Sequence, residues 1–148
     1  MPSVESLVFL DQNLQVAQNL LQSTHDYIKW QAPIDVERTG YHDTFKVSCE
    51  AMRVTVRMTQ IIAWLMLQKA VLEGDLTRDE ALSDEYLVLR GHTCLESDSE
   101  ADLELPPRLR ELLKDSRNLY LRILRLDTIS RKRDTYSPKA FSGPVSVI

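Results

Sequence analysis

The feature that most constrains the fold is an apolar pattern between positions 45 and 72 that recurs with helical spacing on two sides. One stripe, at alternating intervals of four and three residues, consists of Phe45, Cys49, Met52, Val56, Thr59, Ala63, Met66 and Ala70. The second apolar side consists of Val54, Met58, Ile61, Leu65 and Leu72. Such spacing is typical of one long, deeply buried helix. We expect the first stripe to face the core and Gly74 to end the helix.

The polar edge of this helix changes character along its length. Its first half consists of Lys46, Glu50, Arg53, Arg57 and Gln60, and the same steps then reach Trp64, Leu67 and Val71. The second half is therefore apolar almost all round. Two companion helices cannot cover every side of it, so the pattern predicts an additional covering element, a second copy of the chain, or both.

Two further long helices flank this segment in the sequence. The stripe of the first is Leu7, Leu10, Leu14, Ala17, Leu21, Thr24 and Ile28, and that of the last is Leu109, Leu112, Ser116, Leu119, Ile123 and Leu126. Pro33 predicts the end of the first helix, with residues 31–40 as a connector, because proline disfavours helical geometry in the residue before it. Pro106 and Pro107 open the last helix, whose pattern fades at Ser130.

The predicted fold is all-α: an antiparallel three-helix bundle with an additional short helix, a flexible acidic loop and a disordered C-terminal tail. Thr77 and Glu80 form a capping box that starts the short helix, which we expect to continue to about Leu89. The bundle domain spans residues 1–133, with the acidic loop at about 92–104 and the tail at 134–148.

Charge is distributed unevenly along the chain. Residues 73–104 hold 2 basic and 11 acidic side chains, a net charge of −9, whereas residues 105–148 hold 10 basic and 4 acidic ones, a net charge of +6. This asymmetry indicates internal charge complementarity or two surfaces with different partners, and its simplest interpretation is a solvated loop and an Arg-rich helix face.

Length and composition exclude several classes of protein. A chain of 148 residues with 43% apolar residues supports one globular domain. Its longest apolar run, Ile61 to Leu67, has seven residues, whereas a membrane span needs roughly 20. The N-terminal residues lack a signal-peptide pattern, and Cys49 and Cys94 fit a reducing compartment, so we expect a cytoplasmic protein.

The residues that carry chemistry do not form a recognisable catalytic pattern. The three histidines, His25, His42 and His92, are far apart, and only His92 has a neighbouring thiol, Cys94. Cys49 lies on the expected core stripe, where a small buried thiol is the ordinary interpretation. The four glycines are scattered and form no phosphate-binding loop. We therefore predict no catalytic residue, no cofactor, no metal and no enzymatic activity.

The last helix supports an alternative, a small DNA-associated regulator. Its basic residues are Arg108, Arg110, Lys114, Arg117, Arg122 and Arg125, followed by the triplet at 131–133. Binding to phosphates needs such a concentration of positive charge. However, acidic residues are interleaved and the whole chain has a net charge of −4, so nucleic-acid binding is the weaker hypothesis.

The segment Cys49 to Gly74, followed by Leu76-Thr77-Arg78, resembles the signature helix of the alphaproteobacterial regulator-of-CtrA-degradation (RcdA) family. The residues that carry the resemblance are Met52-Arg53, Arg57-Met58, Trp64-Leu65 and Gln68-Lys69-Ala70-Val71, with Glu73-Gly74. About 30 residues match well, and the rest matches through the order of helices and the terminal tail.

This resemblance implies an adaptor without enzymatic activity that delivers cargo, such as the cell-cycle response regulator CtrA, to the ClpXP protease. The family member works with a response-regulator-like co-adaptor and a cyclic-di-GMP-binding partner. It forms a dimeric helical bundle and localises to a cell pole. The cargo of the present chain does not follow from the signature helix.

The long helix supplies the candidate interaction residues. Trp64, Leu67 and Val71 are predicted self-association contacts of a homodimer, and Arg53, Arg57 and Gln60 are predicted to bind a partner. The sequence leaves open whether Trp64 belongs to the core or to an interface. It also leaves open whether Met52, Met58 and Met66 form core or an adaptable partner-binding side.

Overall fold

The structure, a computed structural model, describes residues 4–39, 41–83, 87–89 and 104–135. Every regular element in these ranges is helical, which confirms the all-α prediction. The elements are α1 (Val4–Asp26), a π-helical turn (Tyr27–Gln31), α2 (Ala32–Thr39), α3 (Tyr41–Glu73), α4 (Arg78–Ala81) and α5 (Pro107–Thr135). Most of the predicted acidic loop and residues 136–148 of the predicted tail lie outside the described residues.

The first helix does not end at Pro33, so this prediction is wrong. The chain widens into the π-helical turn, in which the backbone N–H of Ala32 donates to the Tyr27 carbonyl, and continues as α2. Pro33 lies in the first turn of α2, where a missing N–H costs little. The Asp35 carboxylate fixes the turn, because it accepts hydrogen bonds from the Tyr27 hydroxyl and the Gln31 amide, each at 2.9 Å.

α3 is the central helix, but only one of its two apolar sides is buried. The second apolar side forms the core, with Val54, Met58 and Ile61 fully buried. The predicted core stripe faces solvent instead: Phe45 is 76% exposed, and Cys49 is exposed as well. Both stripes have the same period, so spacing alone located the helix without deciding which side its neighbours cover.

α3 and α5 run parallel, which corrects the antiparallel arrangement predicted for this pair. Positions rise together along the two helices in successive hydrogen-bonded pairs. These pairs are Arg57 with Ser116, Gln60 with Tyr120, and Trp64 with Asp127. A parallel pair requires a connection that returns along the bundle.

α1 runs antiparallel to α3. Near the start of α1, Asp11 pairs with Lys69 at 3.5 Å, close to the end of α3. Further along the chain, Ile28 and Val36 line one cavity together with Val47, close to the start of α3. α3 thus contacts both other long helices, and α1 also contacts α5.

The end of α3 and the start of α4 follow the sequence signals. Gly74 has a φ of 83°, and the N–H of Asp75 donates to the Ala70 carbonyl at 2.9 Å, as in a glycine-terminated helix. The Thr77 hydroxyl accepts from the Glu80 N–H at 3.1 Å. α4 nevertheless ends at Ala81, so the prediction that it continues to Leu89 is wrong.

α5 begins at Pro107 as predicted, and it extends beyond Ser130, where its apolar pattern fades. It buries Leu109, Leu112 and Ile123 of the expected stripe completely. The helix continues past Ser130 to Thr135, so the first two residues assigned to the tail belong to α5.

Candidate functional site

Arg57, predicted to bind a partner, lies inside the chain. Its relative exposure is 0%, and its Nη1 donates to the Leu113 carbonyl at 2.9 Å and to Ser116 Oγ at 3.2 Å. The Ser116 hydroxyl in turn donates to the Leu113 carbonyl at 3.1 Å. Because the guanidinium reaches no solvent, Arg57 can affect a partner only through the packing of α3 against α5.

Two further hydrogen bonds extend this contact along the helices. The Tyr120 hydroxyl donates to Gln60 Oε1 at 3.0 Å, and the Trp64 indole N–H donates to Asp127 Oδ1 at 3.0 Å. We call the set the polar seam: Arg57, Gln60 and Trp64 on α3 with Ser116, Tyr120 and Asp127 on α5. The part of the polar edge formed by Arg57 and Gln60 is therefore an internal contact, since buried polar groups need such partners.

Arg53 lies one turn before Arg57 and is less enclosed. Its Nε is 3.0 Å from Glu50 Oε2, and the two side chains are 14% and 9% exposed. The assignment of Arg53 and Gln60 to partner binding stays a prediction. Both residues have limited surface to offer, because each is engaged within its own chain.

The three residues predicted to mediate self-association line one apolar groove of about 680 Å³ at the end of α3. We call it the end groove. Trp64, Leu67 and Val71 form one wall, and the start of α1, the segment around α4 and the end of α5 complete it. Other apolar lining residues include Phe9, Leu82, Val88, Leu126 and Ile129.

Trp64 differs from the other two groove residues. Its relative exposure is 5%, and residues of its own chain enclose most of the ring, whereas Leu67 and Val71 are half-buried. At the groove edge, Arg78 Nη2 donates to the Ser130 carbonyl at 3.3 Å and to its hydroxyl at 3.2 Å. Apolar walls with a few polar groups at the edge are typical of a binding site.

A second apolar surface lies on the side of α3 opposite its buried residues, and Met52 on this side also lines the cavity with Ile28 and Val36. We call it the outer face and define it by the predicted core stripe, Phe45, Cys49, Met52, Val56, Thr59, Ala63, Met66 and Ala70. Its large members are well exposed, with Met52 at 67% and Met66 at 53%. The period of the stripe was recognisable in the sequence, but its position at the surface was not.

The described residues contain no group of three or more His, Cys, Asp or Glu side chains that could hold a metal ion. The His25 ring lies 3.5 Å from the Asp26 carboxylate on the surface. The side chains of His42, His92 and Cys94 lie outside what the structure describes. In the same ranges, no helix is long and apolar enough to cross a membrane.

The basic residues of α5 include several with neighbours in the chain. Arg108 pairs with Glu111 at 2.9 Å, and Arg131 pairs with Asp127 at 3.0 Å. Arg122 lies 6.0 Å from the centre of the Phe9 ring. Arg108, Arg122 and Arg131 therefore already contact carboxylates or an aromatic ring of this chain. The nucleic-acid hypothesis assigns the same three side chains to phosphate binding.

Together, the fold and these surfaces define an all-helical domain built on one long central helix, with a buried polar seam and two apolar surfaces. Residues 7–146 match the family described as "Protein of unknown function (DUF1465)", and the chain belongs to that family. The comparison with curated proteins and that with solved structures each found no match.

Proposed function

We propose that this protein is a non-enzymatic adaptor that tethers regulatory proteins to the ClpXP protease for degradation. Its cargo would be a CtrA-like cell-cycle response regulator or another regulatory protein. Tethering raises the effective concentration of a substrate at the protease and requires no chemistry from the adaptor. The adaptor works with a response-regulator-like co-adaptor, as the resemblance to the regulator-of-CtrA-degradation family implies.

The observation that carries the proposal is the presence of two separate apolar surfaces on one small chain. An adaptor has to hold more than one protein at a time, so it needs more than one surface. The end groove lies where α1, α3 and α5 meet, and the outer face lies on the opposite side of α3 from its core. Exposed apolar patches of this kind commonly mark sites of protein interaction.

The residues of the resemblance support the proposal through their positions. Arg57 and Trp64 belong to the polar seam, and Gln68 and Val71 line the end groove. The matching segment therefore includes residues that fix α3 against α5 and residues that shape a surface. A generic amphipathic helix needs neither a buried arginine nor a tryptophan tied to an aspartate.

A reconstituted degradation assay tests this function. Purified ClpXP, a response-regulator-like co-adaptor and a panel of candidate cargo proteins are incubated with and without the chain, and cargo loss is followed over time. We expect the chain to accelerate degradation of at least one cargo. The variant Val71→Glu, which puts a charge in the end groove, should lose this effect.

The matched control is Val16→Glu, which adds the same charge at an exposed position of α1 that does not line the end groove. It should deliver cargo like the wild type. Unchanged degradation across a broad cargo panel would overturn the adaptor proposal.

The proposal extends to assembly and location. The adaptor acts as a homodimer in the cytoplasm and associates with a cell pole, as the family resemblance implies. The bundle as a whole, with α4 as its additional short helix, is the unit that dimerises. A fluorescent fusion that remains uniformly distributed throughout the cell cycle would contradict polar association.

A further inference from the structure

The sequence that follows α5 becomes apolar and uncharged after Lys139. Residues 140–148 read Ala-Phe-Ser-Gly-Pro-Val-Ser-Val-Ile, and none of their side chains carries a charge. We call them the apolar segment. Contact between water and apolar side chains is unfavourable, so burying this segment against an apolar surface within its reach gains free energy.

The end groove is such a surface, and α5 carries the chain directly past it. Leu126, Ile129 and Arg131 of α5 line the groove, and the helix ends at Thr135, about 6 Å beyond Arg131 along its axis. The four residues from 136 to 139 span at most about 14 Å more. Along α3 the groove extends from Trp64 to Leu72, about 12 Å, so all of it lies within reach of the apolar segment.

We propose that the apolar segment binds the end groove of its own chain and that cargo has to displace it. The inference deepens the proposed adaptor, on which it rests for the identity of the competitor, because it adds regulation to the cargo surface. A weakly bound segment leaves the groove available to any partner that binds more tightly. The outer face is not involved.

The charges of the end groove favour an uncharged occupant. The charged residues among its described lining are two of each sign, Glu5 and Asp127 with Arg78 and Arg131. Asp127 pairs with Arg131 at 3.0 Å, and Arg78 donates to the Ser130 carbonyl. The lining has no net charge and so does not select an acidic or a basic partner. Branched and aromatic side chains without a charge suit its apolar walls.

A second part of the chain also adjoins the groove, but its chemistry is less suitable. Residues 90–103 follow Leu89, which lines the groove. They contain Arg90 and four carboxylates, those of Glu96, Asp98, Glu100 and Asp102. Moving a charge from water into an apolar site costs free energy unless an opposite charge meets it there. The apolar segment is therefore the better occupant of the two.

The short connection makes a weak contact effective. A ligand tethered by a short linker has an effective concentration in the millimolar range, here about 1 to 10 mM. If the free segment binds with a dissociation constant of about 1 mM, the tethered one occupies the groove about half to nine-tenths of the time. Cargo then binds about 2- to 10-fold more weakly than it would bind an empty groove.

The first experiment compares amide NMR spectra of full-length chains. Val147→Glu puts a charge in the apolar segment, and Ser137→Glu puts the same charge in the connection before it. We expect Val147→Glu to shift the amide signals of Leu67, Val71 and Ile129 in the groove, because the segment leaves it. Ser137→Glu should keep the wild-type signals there, and tenfold dilution of the wild type should not change them, because the contact is intramolecular.

The second experiment adds the segment as a separate molecule. A synthetic peptide of residues 140–148, capped at both ends, is titrated into the full-length Val147→Glu chain up to about 5 mM. We expect the groove signals to return towards their wild-type positions with a dissociation constant of about 1 mM. The same peptide carrying Val147→Glu should have no effect, and a chain carrying both Val71→Glu and Val147→Glu should not bind the unmodified peptide.

The third experiment connects the segment to cargo. In the degradation assay, Val147→Glu should reach half-maximal delivery at a chain concentration about 2- to 10-fold lower than the wild type, and Ser137→Glu should match the wild type. Delivery that Val147→Glu leaves unchanged would overturn the competition with cargo.

Three spectroscopic results would overturn binding of the segment itself. The first is identical groove signals in the wild type and Val147→Glu, and the second is a set of shifts confined to Met52 and Met66 of the outer face. The third is a wild-type spectrum that changes on dilution, because the segment would then bind another chain. The spectra do not involve the protease, so they separate failure of this inference from failure of the adaptor function.

Discussion

The indole N–H of Trp64 donates to Asp127 Oδ1 at 3.0 Å, and this hydrogen bond joins the second half of α3 to α5. The other carboxylate oxygen, Oδ2, accepts from Arg131 Nε at 3.0 Å. One carboxylate therefore orients both the ring that forms a wall of the end groove and a guanidinium at its edge. A buried indole usually needs such an acceptor, so Asp127 determines how Trp64 can be placed.

We expect Asp127→Ala to lower the free energy of unfolding by about 1–3 kcal/mol, because the indole N–H loses its acceptor. Trp64→Ala should cost about 3–5 kcal/mol, since the ring is buried. Urea denaturation measures both, with Asp115→Ala at an exposed position of α5 as the control. Dissociation of Trp64→Ala with little loss of stability would instead place the ring between subunits.

The sequence predicts where the helices lie along the chain better than it predicts which of their sides pack together. Long apolar periods located α1, α3 and α5, and Gly74 and Thr77 marked the end of α3 and the start of α4, because caps depend on local backbone geometry. α3 presents apolar stripes on opposite sides, and only its neighbours determine which one is buried. Packing buried Val54 on the second apolar side and left Met52, on the stripe expected to face the core, exposed.

The burial of Arg57 in the polar edge of α3 was not predicted, for a related reason. Arginine side chains are usually exposed. The burial of Arg57 depends on the Leu113 carbonyl and on Ser116 of another helix, 56 and 59 positions away in the sequence. Ser116 interrupts the apolar stripe of α5, so it was the available signal of a buried polar contact. The groove wall of Trp64, Leu67 and Val71 was recognisable as apolar surface, but its concave shape depends on three other elements.

Arg57→Ala should lower the free energy of unfolding by about 3 kcal/mol, because it leaves a cavity and removes the donors of two buried hydrogen bonds. Arg57→Met preserves most of the volume and should recover part of this loss. Denaturant unfolding measures the difference, with Arg125→Ala at an exposed position as the control. If Arg57→Ala is as stable as the wild type but loses a partner, the side chain acts on that partner directly.

We expect α5 not to bind duplex DNA at about 150 mM salt, because carboxylates of the same helix already pair with Arg108 and Arg131. A gel-shift titration with the full chain from low to physiological salt checks this expectation. Arg122→Ala and Arg125→Ala should leave the result unchanged. Retarded DNA that persists at physiological salt and is lost in these variants would favour the DNA-associated regulator.

Tyr27 makes the stability of the first helix depend on pH in the alkaline range. Burial, with the Asp35 carboxylate beside the hydroxyl, raises the pKa of Tyr27 above its ordinary value of 10.0. The folded state then retains a proton that the unfolded state releases. The stabilisation is therefore complete below about pH 10 and falls as the pH rises, by at most about 1.4 kcal/mol per pH unit.

The variant Tyr27→Phe removes both the ionisable group and its hydrogen bond to Asp35, so it should be less stable than the wild type at pH 7 to 9. Above about pH 10 the difference should shrink, because only the wild type continues to lose stability from this group. Thermal unfolding of both chains between pH 7 and 11 measures the effect, and taking the difference cancels the residues that titrate alike in both. A difference that stays constant across this range would show that Tyr27 does not retain its proton, and the π-helical turn would then be fixed by packing rather than by the Asp35 carboxylate.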